Sequence, residues 1–306
     1  MRILTGANLP EGVDTVVLQE DVVTNASEVS FHGPLKRGAN ARDAGEDMLA
    51  GQVILHRGRK VTPADLGMLA AAGVGAIEVH MPLRVGILST GDELQEPGDA
   101  ANAGQIYDAN RPMLGALVTK WGYDVIDLGR APDNRDTVRG ILDDASTRCD
   151  VILSSGGASA GDEDHMSALL EGTGSFALWR IAMKPGRPLA LGLWNDTPVF
   201  GLPGNPVAAM VCALVFAAPS LTVMAGGAWQ HPTSYQLPAA FSKSKKAGRR
   251  EYLRARIEGG QVTIFASEGS GRVSGLSWAT GLVELGDPAQ KVAPGDPVTY
   301  IPFNSF

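Results

Sequence analysis

The sequence predicts a multidomain α/β protein: a central domain on a mixed, mostly parallel sheet with helices on both faces, flanked by small mainly-β domains. Three observations predict it. Between Leu83 and about Met224, strand-like apolar runs alternate with helical stripes, the pattern of repeated β-α units. After about Gln230, period-two alternation separated by Gly-Gly and Pro-Gly turns takes over. Before about Pro82, short strand-like pieces surround a single helix signal, with too little apolar periodicity for a complete domain. The expected divisions are 1–82, an incomplete amino-terminal β-rich linker region; 83–229, the α/β domain; and 230–306, a carboxyl-terminal β domain.

In the amino-terminal part, "TVVLQEDVV" and "GQVILHRG" read as strands, and Thr62-Pro63 opens a helix. "LRVGILST" (Leu83–Thr90) then reads as a buried strand. "NRPMLGALVTKWG" is a helix with Pro112 at its start and Gly122 after its end, and Met113, Leu114, Leu117, Val118 and Trp121 form its apolar stripe. The strand "YDVIDLG", a helix through Val138, Ile141 and Leu142, the strand "CDVILSS" and a helix carrying Met166, Leu169 and Leu170 follow. Strands at "FALWRIAM", "PLALGLW" and "VFGL" lead into a long helix from about Pro206 to Met224. Its most apolar run, Val207 to Ala218, is too short for a membrane span, so a buried core helix is expected. Near the end, "EYLRARIE", "QVTIF" and "DPVTYIPF" alternate as strands, and the basic run "KSKKAGRR" (Lys243–Arg250) reads as a solvated loop between them.

Composition narrows the function. With 306 residues, 44% apolar and 19% charged, the chain can bury a full core and make two or three domains. A net charge of -7 argues against a general nucleic-acid binder. The two cysteines, Cys149 and Cys212, sit in apolar settings without CxxC spacing, which speaks against structural zinc and disulfides. "MRILTGANLP" contains no long apolar region of signal-peptide type. A reducing, cytoplasmic setting with no membrane partner is the expectation.

Ligands of such sheets bind beyond the carboxyl ends of the strands. "STGDEL", "GRAPDN", "SSGGASAGDEDH" and "GLPGNP" all follow strands and should converge on one rim. The turn holding Gly156, Gly157 and Ser159 exposes backbone N–H groups that suit phosphates, yet Asp162, Glu163 and Asp164 come directly after it. At ~4 Å and an effective dielectric near ~20, each carboxylate-phosphate pair repels by about 4 kcal/mol. Either the acids face away, or a divalent cation stands between. Glu93, Asp133 and Asp164, from three strand ends, resemble the oxygen-rich ligation of Mg²⁺.

Each motif also has a plainer reading. Gly156-Gly157 can be a tight turn, Asp164 an acid complementing a helix dipole, and Asp133 a turn or N-cap residue. In "MKPGRP", Lys184 and Arg187 flank a Pro-Gly turn and Arg180 precedes them, either as ordinary surface cations or, beside an acid-held metal, as a polyanion site. In "GLPGNPVAA", Pro203 and Pro206 fix the backbone around Gly204 and Asn205, which presents a helix N-terminus to the rim or serves packing alone. The five histidines are scattered and support neither a metal pair nor a Ser-His-Asp arrangement.

"STGDEL", "GQIYDANRPML", "SSGGASAGDEDH", "MKPGRP", "GLPGNPVA" and "EGSGRVSGLSWATGLVEL" occur in this order. With them the chain resembles the molybdopterin molybdenumtransferases, the MoeA proteins and the gephyrin E domain, from "RILTGANLPEG" to the carboxyl end. The resemblance implies a homodimer of elongated subunits whose active-site cleft also draws on the partner. It implies the last step of molybdenum cofactor synthesis: adenylylated molybdopterin and molybdate bind, the adenylate is hydrolysed with Mg²⁺, AMP leaves, and the dithiolene captures the metal. The substrate brings its own sulfurs, so the protein need not supply cysteine.

Carried over by position, Glu93, Asp133 and Asp164 match the family's functional acids and Lys184 a functional lysine. Arg180 stands where a second lysine is usual, which keeps charge but changes hydrogen-bond geometry. Thr5, Pro203, Pro206 and Ser270 match further functional positions, and His165 replaces an aromatic residue. Gly156, Gly157, Ser159, Arg187, Gly204 and Asn205 complete the expected cofactor-binding rim. Implied partners are a second subunit, molybdopterin adenylyltransferase and molybdoenzyme apoproteins. The family also carries a longer amino-terminal segment with an "SAMDGYA"-like motif that nothing here matches, so a truncated chain with a weakened dimer is expected. Two other readings are a molybdopterin adenylyltransferase, which the central unit also resembles, and a non-catalytic cofactor-binding or scaffold fragment.

Overall fold

The computed structural model describes residues 1–156, 165–173, 175–186, 188–269 and 271–306; at positions 176, 178–180 and 188 it describes the backbone. The chain forms two compact units, Met1–Ile77 and Glu78–Phe306. In the first, β1 (Val22–Thr24) pairs antiparallel with β2 (Val29–Phe31), and one helix, α1 (Pro63–Ala71), follows. Thr62 accepts from the Asp65 amide while Asp65 accepts from the Thr62 amide, a capping box that starts α1 at the expected Pro63. "GQVILHRG" forms no strand, contrary to expectation. Within this unit only Asp65 and Leu69 are buried, so its apolar residues have no inner face against which alternation could be enforced.

The second unit opens with β3 (Arg84–Thr90), β4 (Leu94–Gln95), β5 (Ile106–Tyr107), α2 (Asn110–Trp121), β6 (Asp124–Ala131), α3 (Arg135–Arg148) and β7 (Val151–Ser155). It continues with α4 (His165–Glu171), β8 (Phe176–Arg180), β9 (Met183–Lys184), β10 (Pro188–Trp194) and β11 (Thr197–Leu202). Strand order in the main sheet is β6-β3-β7-β11-β10-β8. The first four run parallel, and β10 is antiparallel to both neighbours, which makes the sheet mixed and mostly parallel. Alternation within strands assigns the faces: Val85, Ile87, Val151 and Leu153 join one core, while Leu88 and Ile152 join the other. Helices α2 on the first face and α3 and α4 on the second cover them.

Helix α5 (Pro206–Cys212), a π turn at Ala213–Ala217 and α6 (Ala218–Met224) run on as one segment. Its length and composition alone satisfy the requirements of a membrane span. Here Val211, Cys212, Leu214, Ala217 and Leu221 are packed into the first core, as expected of a core helix. Burial pushes the Cys212 thiol up to about 12, so it packs as an inert apolar group.

The carboxyl-terminal part contains β12 (Tyr235–Pro238), β13 (Lys243–Lys245), β14 (Arg250–Glu258), β15 (Gln261–Ile264), α7 (Ser274–Trp278), β16 (Gly281–Leu285), β17 (Gln290–Val292) and β18 (Pro297–Pro302). Sheet order is β12-β18-β16-β14-β15, with β9 added parallel to β14. Tyr252, Leu282 and Ile301 enter the same core as α2 and the long helix, which explains why the two sheets make one unit. The run Lys243–Arg250 is not the solvated loop expected. Lys243–Lys245 is a strand paired with β17, and the buried Lys245 ammonium donates to the carbonyls of Lys246, Asp287 and Pro288. A lysine that satisfies its donors on backbone oxygens can be buried without a counter-charge.

Candidate active site

The carboxyl ends of β6, β3, β7 and β11 are adjacent, so the loops after them share one rim. The first two are clipped together. The Asp92 amide donates to Asp133 Oδ2 at 3.3 Å, the Asp133 amide to Asp92 Oδ1 at 3.0 Å, and the Gly91 amide to the Ala131 carbonyl at 3.2 Å. Glu93 folds back over Gly91: a Cβ at that glycine would lie 2.4 Å from Glu93 Oε2, so only glycine leaves the carboxylate its place. Asp133 is not the N-cap of α3; Asn134 is, accepting from the Thr137 amide. The Asp133 carboxylate is exposed beside the rim, and its carbonyl lies 3.1 Å from His165 Nε2 at the start of α4.

A bulge aims the β6 loop. Ile87 pairs with Asp127 but Ser89 with Arg130, which puts an extra residue into β6 at Leu128–Gly129, with Gly129 at φ 75°. Arg111 braces this edge from α2, reaching Asp127 at 2.6 Å, Asp108 at 3.3 Å and Glu96. Burial works against its charge, but Asp127, Glu96 and Asp108 outweigh it and hold the guanidinium firmly protonated.

The loops after β7 and β11 meet through small residues. Gly156, at φ 90°, donates its amide to the Leu202 carbonyl at 3.1 Å, and a Cβ there would strike Thr90 Oγ1 at 2.7 Å. A Cβ at Gly204 would lie 3.8 Å from Gly156 Cα, so the two backbones are close neighbours. Asn110 ties them: its Nδ2 donates to Ser155 Oγ and to the Gly204 carbonyl, both at 2.6 Å. Asn205 caps α5 by accepting from the Val207 and Ala208 amides, so two donors of that helix end are already taken by its own cap. Pro203 is buried against the next loop, where Gly186, at φ 90°, packs on Cys212, Ala208 and Pro203.

The structure thus brings Glu93, Asp133, Gly156, Pro203, Gly204, Asn205 and Pro206 to one rim. Lys184 joins through the turn ending in Gly186, while its ammonium pairs with Glu268 at 2.7 Å. Arg180, described in backbone only, ends β8 opposite Pro188. Thr5 lies in an exposed turn of the other compact unit. Gly157, Ser159, Asp164, Arg187 and Ser270, with Asp162 and Glu163, lie outside the described residues. Among the described residues no group of three or more His, Cys, Asp or Glu is arranged to hold a metal. A separate cavity of about 290 Å³ lies beside the far half of the long helix, lined by Phe216, Trp229, Tyr252 and Ile301 among others.

Comparison with known proteins decides the family of the chain. A protein from Haemophilus influenzae named molybdopterin molybdenumtransferase is 36% identical over 311 residues, covering 99% of this chain and 77% of its own. The chain belongs to the molybdopterin molybdenumtransferase family. Family profiles match along its length: "MoeA N-terminal region (domain I and II)" over residues 1–73, "Probable molybdopterin binding domain" over 86–223 and "MoeA C-terminal region (domain IV)" over 236–303. Gephyrin of Dictyostelium discoideum is 32% identical across 93% of this chain and 45% of its own. The crystal structure of a molybdopterin biosynthesis MoeA protein from Pyrococcus horikoshii superposes with a TM-score of 0.82 at 27% identity, covering 98% of this chain and 74% of that one.

In this member of the family, sequence reasoning missed Asn110, whose side-chain partners lie 45 and 94 residues away and leave no local signal. It also missed Arg254. That side chain is buried and donates to the carbonyls of Arg272, Ser267 and Gly269, while its guanidinium lies 4.9 Å from the Phe265 ring centroid. Arg254 therefore ties together the backbone at Ser267, Gly269 and Arg272.

Proposed function

We propose that the chain inserts molybdenum into molybdopterin, taking adenylylated molybdopterin and molybdate and releasing AMP with Mg²⁺. The observation that carries this is the meeting, at one sheet end, of the clipped carboxylate loops of Glu93 and Asp133 with the close-packed backbones of Gly156 and Gly204. The first pair presents hard oxygen donors; the second brings the backbones of two adjacent loops close together at the same strand ends, where ligands of such sheets bind.

Mg²⁺ takes one or two carboxylates and keeps several waters, and two exposed loop carboxylates fit that demand better than a closed cage would. Glu93 and Asp133 would hold it, with Asp164 as the further acid the family likeness supplies. When bound it neutralises charge on the phosphate oxygens. Asp92 keeps Asp133 in place through the reciprocal amide bonds, Asn110 fixes the Gly204 carbonyl, and Lys184 provides a compact positive charge for the phosphate. Molybdenum is the cargo, and the thiolates it needs belong to the pterin.

The same reading makes the chain a cytoplasmic enzyme that works as a homodimer and meets molybdopterin adenylyltransferase and molybdoenzyme apoproteins. Exposed apolar side chains at Val29 and Phe31 support a covered surface in the Met1–Ile77 unit. The deciding experiment supplies adenylylated molybdopterin with molybdate and, separately, molybdopterin with ATP. AMP release coupled to metal insertion in the first is the expected result. Turnover of the second pair alone identifies an adenylyltransferase, and binding without turnover a non-catalytic fragment.

A further inference from the structure

Lys184 and Lys243 face Glu251 and Glu268 in a four-charge cluster where β9 joins the carboxyl-terminal sheet. Lys184 Nζ lies 2.7 Å from Glu268 and 3.7 Å from Glu251; Lys243 Nζ lies 3.5 Å from Glu251 and also contacts Glu268. The two acids are not equivalent. Glu251 sits in β14, paired directly with Lys184 of β9, and its side chain is only 10% exposed. Glu268 lies on the loop after β15, and its side chain is 43% exposed.

As it stands the cluster is neutral, two cations against two anions. Releasing Glu268 from Lys184 alone leaves that ammonium only its 3.7 Å contact with Glu251, and Lys184 is the more open of the two cations, 35% exposed against 11%. An exposed ion pair is worth at most about 1 kcal/mol and can be exchanged, whereas separating a buried one is costly. The loop itself need not move, because Arg254 grips the carbonyls of Ser267 and Gly269 on either side of Glu268. Hydrogen bonds from Lys184 and then Lys243 hold the Glu268 carboxyl below its ordinary range, so it stays ionised at neutral pH.

We propose that Glu268 is an exchangeable counter-ion and specificity-determining residue. It occupies the Lys184 ammonium in the free protein, yields it to an incoming phosphate, and stays tethered to Lys243 meanwhile. Any anion must then outcompete a bound carboxylate, which favours a dianionic phosphate over weaker anions. This rests on reading Lys184 as the phosphate-directed cation of the proposed reaction.

The test is calorimetric titration of AMP and of adenosine, at low ionic strength, into the wild-type chain and Glu268→Gln, Lys184→Gln and the double variant. Glu268→Gln should bind AMP about three- to fivefold more tightly, the range an exposed ion pair allows, with adenosine unchanged. The gain should vanish when Lys184 is also replaced. Glu268→Asp, which keeps the charge but shortens its reach, should change AMP affinity in the same direction if the glutamine variant does not fold. AMP affinity unchanged or weakened by Glu268→Gln, with Lys184→Gln still weakening it, overturns this inference alone. No effect of Lys184→Gln, or no AMP binding at all, overturns the phosphate reading and this inference with it.

Discussion

Asn110 ties two rim loops together. It is buried, both its amide hydrogens go to neighbouring loops, and its Oδ1 accepts from nothing in the protein. Asn110→Ala strands the Gly204 carbonyl and should cost about 1–3 kcal/mol, measured by urea unfolding, while also weakening adenylate binding. Asp133→Asn has the opposite profile. The new amide oxygen can still accept from the Asp92 amide, so stability should change by less than about 0.5 kcal/mol. Mg²⁺-dependent AMP release should nevertheless fall at least about 10²-fold, the scale of losing one electrostatic group at a reacting phosphate; full activity in a folded Asp133→Asn protein would remove Asp133 from the site.

At the scale of elements, the strand starts opposite the rim are pinned by charge. Asp150, just before β7, accepts from the Arg84 amide at 2.7 Å and from its guanidinium at 2.8 Å, tying the beginning of β3 to β7. The Arg84 hydrogen bond lowers the Asp150 carboxyl below its ordinary range. A depressed folded value stabilises above the unfolded value of ~3.9 and is lost as pH falls through the folded one. The pair is partly exposed, so screening limits it to about 1 kcal/mol or less. Asp150→Asn should therefore lower stability by up to about that amount at pH 7 and by progressively less as pH falls through the depressed folded value, and denaturant titrations at pH 7 and in acid check it. Gly156→Ala tests the rim end of the same strand. Its φ of 90° and the Thr90 oxygens in the way should cost about 1–3 kcal/mol in thermal or urea unfolding.

For the whole molecule, the division into Met1–Ile77 and Glu78–Phe306 carries an unequal share of core. The second unit owns both faces of the main sheet and the β core, whereas the first buries only Asp65 and Leu69. Expressed alone, residues 78–306 should unfold cooperatively with near-native circular dichroism, and residues 1–77 should show no cooperative transition. A sharp melt of the isolated first unit would show that it holds a core of its own.

Periodicity determined most of the architecture without coordinates. Strands buried on both faces and helices with one apolar stripe left unmistakable patterns from Arg84 to Met224, and turn glycines such as Gly122, in the left-handed conformation at the end of α2, marked their ends. Loops following strand ends likewise announced a shared rim, because chain direction in a parallel sheet dictates where they go. Only the tertiary structure decided which side chains hold that rim in shape. Asn110 and Gly204 are 94 residues apart, Lys184 and Glu268 84, and nothing local to either partner reveals a bond whose energy exists only once the sheet has closed. The basic run at Lys243 misled for the same reason: exposure is the default for a lysine, and the carbonyls that make burial tolerable for Lys245 come mostly from residues 42 and 43 positions away.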